Sequence, residues 1–262
     1  SFKQKKITSI IKGGNVYNFQ AAIALAMKFD VTIDESAIKQ DYHNVLKYYL
    51  RHRLNTPQAD VTVKENYPVV VGAINKNSKN IALIHHIDKI NSGQSYGHKV
   101  FFVELFRKLR KMDLVITVSE YWKIFLEEHG CKNVKVIYNS FVPEDYKIEQ
   151  NDVVEFRKKY SIPDRPIVYI GNAHKQKGVY EAYNALKGLD VELIMTEAQN
   201  MASDLPVRFL SLSRKEFITL LHASEVVVLM SKLMEGWNRV AHEALLCNTP
   251  VVGSGTGGMG EL

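Results

Sequence analysis

The segment that decides the fold is SKLMEGWNRVAHEALLCNTPVVGSGTGGMGEL, residues 231–262. It follows an apolar run at 226–230 and holds a turn, an amphipathic stretch from Arg239 to Cys247, and the apolar run PVVGS. Asn238 stands just before the amphipathic stretch, where its short polar side chain can cap a helix. PVVGS is typical of a short, fully buried strand. The order strand, turn, helix, strand, glycine-rich loop predicts a parallel α/β sheet.

Two glutamates and a run of glycines give this segment the chemistry of a nucleotide-sugar site. Glu235 enters the predicted helix and Glu243 follows eight residues later. Both are expected at the carboxyl ends of the strands, where open α/β sheets bind ligands. Gly257 and Gly258 follow the last strand, and amides with no side chain beside them can meet an anion. The alternative is an ordinary βαβ unit with two surface glutamates.

Three motifs in this order resemble the donor-binding core of the retaining family 4 of GT-B glycosyltransferases: the E-x7-E pair, EAL-x-C-x-TPVV, and the G-T-G-G-x-x-E ending. The resemblance implies an α/β fold with two Rossmann-like domains facing a cleft. Residues 1–147 would form the acceptor side and residues 148–262 the donor side, with the second domain short at its C-terminus. It further implies transfer of a hexose from a nucleoside-diphosphate sugar, with retention, to a lipid, glycan or protein acceptor.

The resemblance also assigns roles in the donor site. Glu243 is expected to hold the ribose hydroxyls and Glu235 the sugar hydroxyls. Lys177 and the amides of Gly257 and Gly258 are expected to hold the diphosphate. No cofactor and no metal are expected, since cleavage in this fold class needs no bound metal and the chain has no D-x-D pair.

Residues 171–178, GNAHKQKG, resemble the family's loop in which a Gly-Arg pair is followed by a Lys-Gly pair, and they supply Lys177. In the family, an arginine and a lysine of this loop hold the donor diphosphate. Asn172 stands where that arginine is usual, so one of the two cations is missing. Lys175 and Arg239 are the candidates for the missing charge. Such a charge is needed because a departing nucleoside diphosphate develops negative charge, which positioned cations stabilise.

The N-terminal half offers two further candidate sites. Gly13 and Gly14 follow a predicted strand at 7–11 and precede a helix, which suits either a ligand-facing loop or a tight turn. His85 and His86 end the predicted strand IALIHHID, and the family often carries a histidine at this strand end, near the sugar. We favour His85 as the one pointing into the cleft, and structural hydrogen bonding is the alternative.

Regular alternation of strands and helices runs through the rest of the chain. The predicted strands are 30–34, 67–74, 114–119, 134–139, 167–171, 191–196, 207–212 and 225–231. The predicted helices are 36–54, 96–112, 120–128 and 214–223.

Composition fits a soluble α/β protein, with 46% hydrophobic and 24% charged residues among 262. Residues 1–147 carry 22 Lys and Arg against 14 Asp and Glu. Residues 98–111 form a basic amphipathic helix, which suits either peripheral contact with an anionic membrane or a packed helix with a basic face. A cytoplasmic location is expected, and a homo-oligomer stays open. No stacking-aromatic or recognition-helix signature indicates nucleic-acid binding.

Two other functions remain open at this point. One is a non-catalytic GT-B-like protein that binds a nucleotide or sugar, which Asn172 favours. The other is a different GT-B enzyme, such as a nucleotide-sugar epimerase. The two cysteines, Cys131 and Cys247, are expected to be buried and reduced.

Overall fold

The structure is a computed structural model, and it describes residues 15–32, 59–87, 96–196 and 202–262. The chain divides into two compact units. The first runs to Val118 and includes Lys123–Ser140, and the second comprises Ser119–Trp122 and Phe141–Leu262. Each unit contains one all-parallel sheet. The expected α/β architecture with two Rossmann-like sheets is confirmed.

The first unit has a four-stranded sheet in the order β1-β2-β3-β4. Its described elements, in chain order, are α1 (Asn15–Ala26), β1 (Val61–Lys64), α2 (Asn66–Val71), β2 (Lys79–Ile84), α3 (Tyr96–Leu109), β3 (Leu114–Thr117), α4 (Glu120–Glu128) and β4 (Val134–Val136). The first residues of α4, up to Trp122, belong to the second unit. The predicted strand at 7–11, Gly13, Gly14 and the predicted helix at 36–54 lie outside the described residues. Residues 30–32 of the second predicted strand form no strand.

The strand predicted at 67–74 is wrong, because this segment forms the short helix α2. A short apolar run suits a buried strand and a buried helix equally well. Pro68 decides between them, since proline is tolerated in the first turn of a helix but removes a hydrogen bond from a central strand. Val69 and Val71 of this helix are buried.

Helix α3 covers most of the basic stretch at 98–111. It buries Leu105 and Leu109. The Lys108 ammonium donates to the backbone carbonyl oxygens of Val70 and Gly72 at 2.6 and 2.7 Å. One basic residue of the stretch therefore serves internal packing, and membrane contact through the others stays a prediction. No helix in the described part of the chain combines the length and apolarity needed to cross a bilayer.

The second unit has a five-stranded sheet in the order β7-β6-β5-β8-β9. Its helices and strands are α5 (Gln150–Lys159), β5 (Ile167–Asn172), α6 (Val179–Leu186), β6 (Glu192–Thr196), β7 (Arg208–Leu210), α7 (Arg214–Ala223), β8 (Ser224–Leu229), α8 (Arg239–Leu246) and β9 (Val251–Gly253). Short 3-10 turns lie at Pro143–Tyr146, Lys175–Lys177 and Gly258–Glu261. The strand that comes first in this unit is central, so the strand order reverses between β5 and β8, which is the ligand-binding switch point of a doubly wound sheet.

Alternate residues of the central strand face two separate cores. Ile167 and Tyr169 pack into one apolar cluster, which Val227 of β8 also joins. Val168 and Ile170 pack into the other. This two-sided burial explains why the sequence of β5 is apolar without interruption.

Strand β9 departs from its predicted burial. It was expected to be fully buried, but Val252 is 53% exposed, because β9 is the last strand at its edge of the sheet. The helix before it begins as expected, since the Asn238 side chain accepts a hydrogen bond from the Ala241 N–H at 3.1 Å. Cys247 at its end is buried with a free thiol, as is Cys131.

At Gly178, the loop after β5 packs against the loop after β8. It has a φ of +69°, which L-residues with side chains rarely adopt. A Cβ atom on it would lie 1.8 Å from the Met230 carbonyl oxygen. Beside this contact, the Lys232 N–H donates to the Gln176 carbonyl at 3.0 Å. Backbone therefore packs directly on backbone between the two loops.

The buried and edge strands offer a matched pair of substitutions. Val227 is fully buried on β8, whereas Val252 on the neighbouring β9 is exposed. We expect Val227→Ala to lower the free energy of unfolding by about 2 kcal/mol, from lost burial and a residual cavity. Val252→Ala should change it by less than about 0.5 kcal/mol. Urea unfolding measures both, and equal effects would contradict this account of the core.

Two glycines, one buried and one exposed, give a second test. Gly178→Ala should destabilise the protein by more than about 2 kcal/mol, because the backbone strain adds to a direct clash. Gly188→Ala is the control, since a Cβ there meets nothing within 4 Å. Thermal melts of the two variants should separate clearly. A Gly178→Ala protein that melts like the control would show that the loops are not held by this contact.

Candidate functional site

The candidate site of the second unit lies at the carboxyl ends of β5 and β8. The loop after β5 carries Lys177, and the loop after β8 carries Glu235. Their side chains form an ion pair with 2.6 Å between Lys177 Nζ and Glu235 Oε1. The glutamate side chain is 12% exposed and the lysine side chain 32%. The structure thus brings together the cation and the carboxylate that the sequence assigned to the diphosphate and the sugar.

The backbone at Glu235 is held from two sides. Its carbonyl oxygen accepts a hydrogen bond from the Trp122 indole N–H at 2.9 Å and another from the Gly258 N–H at 2.8 Å. All three residues belong to the second unit. These contacts fix the position from which the Glu235 side chain reaches Lys177.

The two glycines of the terminal loop serve close packing. A Cβ on Gly257, whose φ is +63°, would lie 2.4 Å from the Glu235 carbonyl oxygen, and one on Gly258 would lie 2.0 Å from that of Gly236. The Gly258 N–H is already engaged by Glu235. It is therefore not free for a phosphate in this structure, contrary to expectation. Because glycine has no side chain, two backbone segments come close enough here to form a hydrogen bond with each other.

Glu243 lies in a buried cluster on the inner side of α8. Its carboxylate accepts two hydrogen bonds from Arg214, at 2.9 and 3.2 Å. The Tyr146 hydroxyl donates to the same carboxylate at 3.3 Å. Arg239 Nη2 is 3.7 Å from it. Because an ionised carboxylate has about four acceptor sites, these donors occupy most of them.

Burial and neighbouring charges in this cluster shift the pKa values of its side chains. Burial, reinforced by the charge of Glu243, raises the pKa of Tyr146 to about 12. Burial alone would lower the pKa of Arg214, but the hydrogen bonds and charge of Glu243 outweigh it and raise the pKa. Burial lowers the pKa of Arg239, against the opposing pull of Glu243. In this cluster, the guanidinium groups of Arg214 and Arg239 lie around the Glu243 carboxylate.

The two candidates for the missing cation lie in different surroundings. The Arg239 guanidinium lies 4.6 Å from the ring centroid of Phe141 and close to Glu243. Lys175 is exposed, as is Asn172 at the end of β5. The Lys177–Glu235 pair and the Glu243 cluster are thus two separate parts of the candidate site.

In the first unit, β2 ends at Ile84, so the two histidines follow the strand and do not form its last residues as predicted. His85 Nε2 and Asn18 Oδ1 lie 2.7 Å apart, and the Asn18 amide donates to Glu65. His86 is exposed, and its carbonyl oxygen accepts from the Asn66 amide at 2.8 Å. His85 is thus the more strongly held of the two side chains.

Sequence reasoning assigned no role to three of the residues that shape the second unit's site. Arg214 lies inside a helix-capping box formed by Ser213 and Glu216, which signals a helix start but not an ion pair. Glu261, the last acidic residue of the motif, accepts hydrogen bonds from the N–H groups of Glu120 and Tyr121 at 3.0 and 2.8 Å. Trp122 carries no motif at all.

Across the described ranges, no group of three or more His, Cys, Asp or Glu side chains is placed to hold a metal ion. The expectation that neither a metal nor a cofactor takes part therefore stays a prediction.

Known proteins of similar sequence or structure point to one fold. No family model matches the chain. An uncharacterized glycosyltransferase from Methanocaldococcus jannaschii is 28% identical over 174 residues, which cover 56% of this chain and 44% of that protein. The chain therefore spans less than half of this curated relative.

Solved structures extend the likeness to the fold. HepE from Anabaena, in complex with UDP-glucose, has a TM-score of 0.65 at 24% identity over 77% of this chain and 61% of that chain. Sucrose-phosphate synthase from Thermosynechococcus elongatus has a TM-score of 0.73 at 18% identity over 95% and 77%. These structures show that the chain has a GT-B fold, the fold that the sequence motifs implied.

Proposed function

We propose that this chain takes part in moving a hexose from a nucleoside-diphosphate sugar to an acceptor, with retention and without a metal. The observation that carries the proposal is the Lys177–Glu235 pair at the β5/β8 switch point. Where a diphosphate joins a sugar, an anionic oxygen lies close to neutral hydroxyls. A cation beside a carboxylate is complementary to that junction. The likeness to HepE, a structure solved with UDP-glucose, supports the donor class.

In this proposal the two parts of the site hold two parts of the donor. Lys177 binds the diphosphate and stabilises the charge that develops as it leaves. Glu235 accepts hydrogen bonds from the sugar hydroxyls. Glu243 binds the ribose, and Arg214 fixes the orientation of its carboxylate.

The bond changes follow from the retaining outcome. The acceptor hydroxyl oxygen forms a bond to the anomeric carbon on the face that the diphosphate leaves. The bond from that carbon to the diphosphate oxygen breaks, and the hydroxyl proton passes to a phosphate oxygen. His85 is proposed to orient the sugar, as the resemblance implies. The acceptor is a lipid, glycan or protein hydroxyl, and contact with an anionic membrane through residues 98–111 would suit a lipid.

A second candidate is a protein that binds the donor without turning it over. Asn172, in the position where the family carries arginine, favours this alternative because one cation of the expected clamp is absent. Both candidates predict donor binding. Only the first predicts cleavage of the bond between the sugar and the diphosphate.

Removing the Glu235 charge tests the catalytic proposal. We expect Glu235→Gln to lower donor hydrolysis or transfer roughly 10- to 100-fold, because hydrogen bonds to a charged group contribute about 1.5–3 kcal/mol. The measurement is release of UDP from UDP-glucose. Glu225→Gln is the control, since Glu225 is an exposed residue of the same strand β8. Tight donor binding with no turnover in the unmodified protein would instead support the binding-only alternative.

Calorimetric titration separates the two parts of the site. Lys177→Gln should weaken UDP binding about tenfold or more and leave uridine binding unchanged, because uridine has no phosphate. Glu243→Gln should weaken both ligands. Lys232→Gln is the control, since Lys232 is an exposed lysine of the β8 loop that pairs with Glu181. Equal losses of UDP affinity in the two lysine variants would exclude a specific role for Lys177.

A further inference from the structure

A polar groove lies at the amino ends of the strands of the second unit. It has a volume of about 490 Å³, within the range of roughly 300–1,000 Å³ typical of small-molecule sites. Residues at the start of β6 and β7 line it, with others from the end of α6. Because the strands are parallel, this groove is at the opposite end of the sheet from Lys177 and Glu235. It is therefore separate from the proposed donor site.

A single buried carboxylate organises the charged side of this groove. The Glu192 side chain is 8% exposed, and it pairs with Arg165 at 2.5 Å and with Arg208 at 2.6 Å. Arg208 also donates to the Tyr160 carbonyl oxygen at 3.1 Å. Each guanidinium is thus held in place by a partner that is out of solvent.

The held guanidiniums are still accessible. The Arg165 side chain is 42% exposed and the Arg208 side chain 32%. Lys187 adds a third cation to the lining. Asp190, 94% exposed and 3.7 Å from Arg165, is the second acidic group nearby. Three cations against two carboxylates leave the groove with a net positive charge.

Several apolar side chains and the Tyr183 ring complete the lining. Leu186 comes from α6 and Leu193 from β6, and Val207 is the residue just before β7. All three are half-buried. A ligand here would meet both guanidinium N–H donors and hydrocarbon.

We propose that this groove binds a small organic anion with a carboxylate or phosphate head and a compact apolar body. The guanidinium fork of arginine matches the geometry of both head groups. Arg165 and Arg208 would bind the head, with Lys187 adding charge, and the body would lie against Leu186 and Val207. The binding does not depend on the proposed glycosyl transfer.

Phenyl phosphate is a suitable probe, because it combines a dianionic head with a small apolar ring. Calorimetric titration should detect saturable binding to the full chain. Inorganic phosphate, which has only the head, should bind more weakly, and neutral benzyl alcohol should not bind measurably. The Lys177→Gln variant should bind phenyl phosphate as well as the unmodified protein does, since the donor loops lie at the other end of the sheet.

Two variants test the groove itself. Arg208→Gln should weaken phenyl phosphate binding about tenfold, the loss expected for one charge-assisted contact. Lys187→Gln should also weaken it, and this variant leaves the Glu192 ion pairs untouched, so it reports on binding even if Arg208→Gln fails to fold. Arg107→Gln is the control, because Arg107 is an exposed arginine paired with a glutamate elsewhere, on α3.

Several results would overturn the proposal. One is the absence of saturable binding to the unmodified protein. Another is unchanged affinity in both groove variants, or an equal loss in the Arg107→Gln control. Loss of binding in Lys177→Gln would assign the anion to the donor loops instead.

Discussion

The contact between Gly178 and the Met230 carbonyl is the constraint on which the candidate site depends. It allows the loops that follow β5 and β8 to touch through their backbones, with no side chain between them. Lys177 is the residue before this contact, and Glu235 lies a few residues beyond it. Their ion pair is therefore a consequence of a backbone approach that only glycine permits. The positive φ at the same residue gives a second, independent reason for glycine there.

The sequence was most informative where one local pattern dictates one structure. The apolar run of β5, the cap at Asn238 and the helix starting at Arg239 formed as predicted. The pattern was ambiguous at 67–74, where Pro68 should have weighed against a strand. It was also ambiguous for β9, because an apolar run does not reveal whether a strand is central or at an edge.

Side-chain partners were harder to predict than positions. The motif placed Glu235 and Lys177 correctly in the two loops, but no local signal showed that they pair with each other across 58 residues. Arg214 and Glu192 are ordinary charged residues in the sequence. Only the register of the sheet and the packing of α7 beside α8 bring them to their partners. Similarly, a glycine-rich loop indicated exposed amides, whereas the Gly258 amide is consumed by the tight packing that glycine itself allows.

The order of the strands in the second unit has a consequence for how this unit folds. Its central strand, β5, is made first and can pair early with β6, which follows after one helix. The other edge of β5 stays unpaired until β8 is made, and the residues of β8 come more than fifty positions later. Closing so long a loop lowers the entropy of the chain before stabilising contacts can form. Sheets built from distant pairings therefore fold slowly. Until β8 arrives, an apolar strand has one unpaired side, which makes the partly synthesised chain vulnerable to association with other chains.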